Sequence, residues 1–241
     1  MMSSRIKDKH ILLKIVIGFV MIVLTLIILR AFHVILHIGN EYTVCFRNEW
    51  KIDDTSKISD DNIKEIVYMK KLNRFTSINA QITNYDFLAD FTELESIYIH
   101  SNALATGIVI NDLPSLQNSS NLEYAFLYID LDNLDCIANS NKLKDLTVSP
   151  YDAEINSISA LKNKPELKGL ILKHIHCSDY SVLLELPSLE YLQIDGSELP
   201  DEIKTALEEK GVEVKETPKE ELQKEREEYE ELVKSHQVQN D

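Results

Sequence analysis

Apolar residues recur through the middle of the chain in a pattern that no single helix or strand explains. Aligned on one leucine, the motif L-x-x-L-x-L returns as LNRFTS from Leu72, LESIYI from Leu94, LEYAFL from Leu122, LKDLTV from Leu143, LKGLIL from Leu167 and LEYLQI from Leu189. The steps are 22, 28, 21, 24 and 22 residues. The fullest unit has apolar residues at Leu167, Leu170, Leu172, Ile175, Cys177, Tyr180, Leu183 and Leu186. The unit from Leu72 repeats this with Phe75, Ala80, Ile82, Tyr85, Leu88 and Phe91; Ser77 is its one polar intruder. Alternation at the start of each unit predicts a short strand with two inward side chains. The later three-residue spacing predicts a helical or 3-10 return. One unit cannot cover its own apolar edge, so stacked units are expected to share a core and align their strands in a parallel sheet.

This pattern resembles the leucine-rich-repeat family, in the short units of internalin-like bacterial surface proteins, over roughly residues 63 to 214. The resemblance implies an α/β solenoid: a curved leucine-rich-repeat array with a parallel concave sheet. It also implies a protein that binds a macromolecule and is not an enzyme. The chain departs from the family at the asparagine after the strand, which appears only at Asn102. The matching places hold Ala80, Tyr151, Ile175 and Ser197, with Ile129 or Asp130 in the unit from Leu122. Other contacts are then needed to bind those turns. The unit from Leu94 carries extra residues around 103–108, expected in a bulging loop.

Both ends of a solenoid need covers. Ser59-Asp-Asp-Asn followed by Ile63, Ile66 and Val67 predicts a capping helix over 60–71. Beyond the last unit, Pro200 opens a helix, Gly211 stops it, and Val-Glu-Val supplies a final strand, closing a repeat region of 72–214. Residues 215–241 read as an acidic, partly helical tail.

Ahead of the array, residues 11–29 are predominantly apolar with one charge, Lys14, a span of about 28 Å as a helix. They predict one transmembrane helix preceding the solenoid, with an extension to residue 38 left open and a juxtamembrane linker over 39–59. A cleaved signal peptide is the competing reading, but no small-residue cleavage site follows. Val44 before Cys45 also argues against lipidation. Basic residues cluster before the span, placing residues 1–10 in the cytoplasm and the repeats at the cell surface.

The net charge is -15, yet residues 1–40 carry +4, which leaves -19 on the rest. Such a domain repels nucleic acid. The three cysteines have no disulfide or zinc spacing. His174, His176, Cys177 and Asp179 mimic a metal set, but the repeat register puts Cys177 at a core place and both histidines in a surface turn. No metal and no cofactor is expected, and no nucleophile elbow or phosphate loop occurs.

Outward strand places offer better candidates. Five hold aromatic rings: Tyr98, Tyr124, Phe126, Tyr128 and Tyr191. With His100 and Ile171 they form the expected site for a protein or peptide partner, because aromatics anchor interfaces. The bland alternative is that aromatics simply suit strands. A second functional class also stands: a structural spacer or scaffold of a membrane complex with no dedicated ligand on the concave face.

Overall fold

The computed structural model describes residues 20–24, 49–51, 59–60, 72–151, 153–224 and 227. The chain divides into two units, Met1–Glu49 and Trp50–Asp241. In the first, residues 20–24 are helical and their apolar side chains, Val20 to Leu24, are exposed. No helix among the described residues is long and apolar enough to cross a membrane. The rest of the predicted span over 11–29 lies outside the described residues, as do positions 61–71 of the predicted cap and the linker apart from 49–51 and 59–60.

The eight strands are β1 (Glu49–Lys51), β2 (Arg74–Ile78), β3 (Ser96–His100), β4 (Tyr124–Tyr128), β5 (Asp145–Val148), β6 (Gly169–Lys173), β7 (Tyr191–Asp195) and β8 (Glu213–Thr217). They form one sheet in sequence order. From β2 to β8 every pairing is parallel. The register follows the leucine alignment: Phe75, Ile97, Ala125, Leu146, Leu170 and Leu192 stand side by side, as do Ser77, Ile99, Leu127, Val148, Leu172 and Ile194. All twelve are buried. The intruder Ser77 is tolerated because its hydroxyl hydrogen-bonds that of Tyr85 at 3.1 Å. The leucine-aligned units thus stack as a solenoid, each giving one strand to the sheet.

Two devices hold one unit to the next. The carbonyl oxygens of Asn73, Glu95, Glu123, Lys144 and Lys168 each accept two backbone N–H groups from the start of the following strand. Beside them runs a ladder of exposed or partly exposed side chains: Asn73 donates to Glu95 at 2.9 Å, Lys144 pairs with Glu123 at 2.8 Å, and Lys168 with Glu190 at 2.6 Å. Such exposed pairs contribute little each, so the backbone bonds and the core dominate.

The return segments are 3-10 helices at Asp86–Asp90, Asp135–Ile137, Ser159–Leu161 and Ser181–Glu185. Each is started by a side chain two residues upstream of the N–H it binds. Asn84 accepts from Asp86 at 2.6 Å, Asn133 from Asp135 at 2.9 Å, Ser157 from Ser159 at 3.3 Å, and Asp179 from Ser181 at 2.8 Å. Short polar side chains cap turns in this way.

Several expectations need correction. The extra residues of the unit from Leu94 open as a helical turn, Ala103–Thr106, where a loop was expected. The Thr106 N–H and hydroxyl both reach the Asn102 carbonyl, and Gly107 at φ 70° ends the turn. Cys177 is half-buried, its thiol reaching the Ile155 carbonyl at 3.5 Å, because the chain is already turning out there. The last strand runs to Thr217, into the predicted tail, because the Glu216 carboxylate takes the Leu199 N–H at 2.7 Å and the Lys204 ammonium. Leu222 then folds back against Gly196 and is buried. The helix after Pro200 spans Asp201–Glu209, and Gly211 follows at φ 84°.

The missing asparagine is replaced by Asp130. Its buried carboxylate accepts the Tyr151 N–H at 2.6 Å and the Ala153 N–H at 3.3 Å. Asn79, at φ 52°, does similar work by accepting the Asn102 N–H at 3.0 Å.

Candidate functional site

Strand alternation leaves one face of the sheet free of the core, and β3 and β4 fill that face with rings. Tyr98 stands beside Phe126, and His100 beside Tyr128, in the β3–β4 register. Ring centroids are 6.2 Å apart for Tyr98–Phe126, 5.6 Å for Tyr98–Tyr128 and 5.6 Å for His100–Tyr128, the last pair edge to face. These are favourable aromatic separations. Tyr124 is the most open of the group, at 37% exposure; the others are half-buried against one another.

The mutual packing shows in their acidities. Burial raises the Tyr98 phenol above its ordinary value, with a smaller push from Tyr128. Burial lowers the His100 imidazole below its ordinary value, because burial disfavours the charged form. At the end of β3 and β4 a cleft of about 180 Å³ opens beside these rings, lined by His100, Ser101, Asn102, Tyr128, Ser149, Pro150 and Tyr151.

Ile171 and Tyr191 do not join the cluster. Thr147 on β5 separates Ile171 from Phe126, and Asp145 and Gly169 separate Tyr191 from Tyr124. The Tyr191 hydroxyl donates to Gln193 at 2.7 Å. Gln193 in turn donates to both oxygens of Asp195 at 3.1 and 2.9 Å, and Lys173 lies 3.3 Å from the same carboxylate. Asp195 is therefore only 1% exposed although its strand place points outward; Thr147, between Phe126 and Ile171, is buried too. Outward does not mean solvated where neighbours on adjacent strands lean over the place.

His174 and His176 leave β6 in a turn, with His174 at φ 54° and its N–H donating to the Asp195 carbonyl at 2.8 Å. Among the described residues no group of three or more histidine, cysteine, aspartate or glutamate side chains could hold a metal ion. Burial pushes the Cys136 thiol up to about 12 and the Cys177 thiol to about 11. Neither forms a thiolate nucleophile near neutral pH.

Sequence reasoning did not single out Asp145, the carboxylate beside Tyr124 on this face. Its signal was present: it takes an outward place in its unit, one strand from Tyr124.

Among solved structures, internalin C2 from Listeria monocytogenes is similar over 64% of this chain and 75% of its own, at 23% identity and a TM-score of 0.46. No protein-family model matches the chain, and no curated protein matches it.

Proposed function

We propose that the chain is a membrane-anchored recognition protein whose repeat array binds a protein or peptide at the cell surface through the open sheet face. The observation that carries this reading is the cluster of Tyr98, His100, Phe126 and Tyr128, four rings in contact on a face that the core does not use. Beneath them Ala125 and Leu127 already fill the layer, so the rings are not needed for packing. Rigid, half-buried aromatics lose little conformational freedom on binding, which suits them as anchors. Catalysis has no part in this reading. Anchoring through residues 11–29, with residues 1–10 in the cytoplasm, is supported by the apolar run and by the exposed helical residues Val20 to Leu24.

Two experiments test it. A photo-crosslinking residue is placed at position 126 of the full chain in its native cells, or at Lys162 beyond the Ser159–Leu161 return as a control. A discrete adduct from position 126 alone is expected; adducts from position 162 alone overturn the sheet-face reading. Protease added to intact cells is expected to cleave the repeats and spare residues 1–10, and the opposite protection overturns the orientation.

A further inference from the structure

The row of the sheet containing Tyr124 holds an arrangement that the aromatic cluster does not explain. Tyr124, Asp145, Gly169 and Tyr191 stand in register across β4 to β7. The Asp145 carboxylate makes no hydrogen bond and no ion pair among the described residues. The cations nearest in sequence are committed elsewhere, Lys144 to Glu123 at 2.8 Å and Lys168 to Glu190 at 2.6 Å. A side chain at Gly169 would begin 2.3 Å from Asp145 Oδ1, so the carboxylate leans into the space the glycine leaves. Partial burial raises its pKa against the opposing pull of Lys168, so desolvation outweighs the pairing that the free chain provides.

A partly desolvated carboxylate with no hydrogen bond or ion pair of its own gains when a ligand cation completes it. We propose that Asp145, between Tyr124 and Tyr191, receives one cationic side chain, lysine or arginine, from the protein or peptide that docks on this face. The inference rests on the recognition reading above and names the chemistry of its partner. The carboxylate supplies the ion pair, and the tyrosine rings on either side of the row offer π faces to the cation. Gly169 lets the carboxylate lie across the row, where a cation reaching the sheet face can meet it. The chain's net charge of -15 draws a basic partner toward the face and speeds encounter.

The test selects peptides from a random displayed library on the full chain in detergent micelles, then measures their affinities for the wild type, Phe126→Ala, Asp145→Asn and Gly169→Ala. Asp145 makes no contact that asparagine would break, and the added methyl of Gly169→Ala meets only the end of a side chain, so both variants keep the fold. Peptides that depend on Phe126 are expected to contain a lysine or arginine essential for binding. Asp145→Asn should weaken them by about tenfold. Changing the peptide's cation to glutamine should weaken them as much, with no further loss when both changes are combined. Gly169→Ala, by displacing the carboxylate, should act in the same direction. If Phe126-dependent peptides bind Asp145→Asn as tightly as wild type, the cation slot is wrong and the aromatic face stands. If no selected peptide depends on Phe126, the face itself fails and the slot with it. Basic peptides that respond to salt but to neither variant would show general attraction to an acidic chain, which also overturns the slot.

Discussion

The ring of Tyr98 lies 5.6 Å from that of Tyr128, one strand over and two residues along, closer than the 6.2 Å to its direct strand partner Phe126. The two phenols therefore share one patch of surface. Tyr98 is raised from 10.0, first by burial and then by the Tyr128 phenolate. Tyr128→Phe should lower the Tyr98 pKa while leaving it above 10.0, because burial is the larger cause. Ring-carbon chemical shifts of Tyr98 followed against pH report this directly. An unchanged titration would mean that the rings are not in contact in solution.

The repeat register makes a sharp contrast between near neighbours. Leu170 is fully buried, while Lys168 is exposed and paired with Glu190 at the strand's start. Leu170→Asp places an unpaired charge in the shared core and should cost at least about 3 kcal/mol, unfolding the adjoining units. Lys168→Asp loses an exposed pair and sets two acids side by side, for about 1 kcal/mol or less. Comparable melting temperatures for the two variants would show that the units are misaligned.

Asp130 replaces the family asparagine by accepting two backbone N–H groups of the next unit. Asp130→Ala leaves those donors without an acceptor and should cost about 1–3 kcal/mol in denaturant unfolding. Asp130→Asn keeps an acceptor oxygen and should recover more than half of the loss. Equal effects from the two changes would assign the role to charge and not to the hydrogen bonds.

Burial holds the Tyr85 phenol at about 12, against an ordinary value of 10.0, while its bond to Ser77 pulls modestly the other way. The folded state thus favours the neutral phenol. Its contribution to stability is complete below pH 10 and is lost as the pH rises toward 12. The double variant Ser77→Ala with Tyr85→Phe removes both polar groups and should flatten the decline of stability across that window. Tyr85→Phe alone strands the serine hydroxyl and should cost about 1–3 kcal/mol more than the pair of changes together. A decline of the same steepness in the double variant would place the titrating group elsewhere.

The strands and their register were legible in the sequence because alternating inward residues have a hydropathy signature. Phe75, Ile97, Ala125, Leu146, Leu170 and Leu192 could be aligned from spacing alone. The neighbourhood of Tyr98 and Phe126 followed from that alignment and the parallel pairing. What sequence did not disclose depends on single hydrogen bonds reaching another unit or another place on the face. Asp130 reads as an ordinary surface acid until the Tyr151 N–H is seen to point at it. Asp195 reads as an exposed outward residue until Gln193 and Lys173 close over it. The polar residues that start the 3-10 returns, Asn84, Asn133, Ser157 and Asp179, vary in type and in distance from the aligned leucine, so no apolar periodicity marks them.

The carbonyls of Asn73, Glu95, Glu123, Lys144 and Lys168 each receive two N–H groups from the following unit, and these bonds use the backbone alone. This part of the junction is indifferent to the side chains on either side of it, unlike the core and the Asp130 bonds. Duplicating or deleting the codons of one whole unit therefore rebuilds the same backbone seam at the new boundary, provided the inward residues of the two units still pack. The residues of the open face are free to diverge afterward. The lineage of such a chain can change its length by recombination, and its specificity by substitution, as two separate evolutionary events.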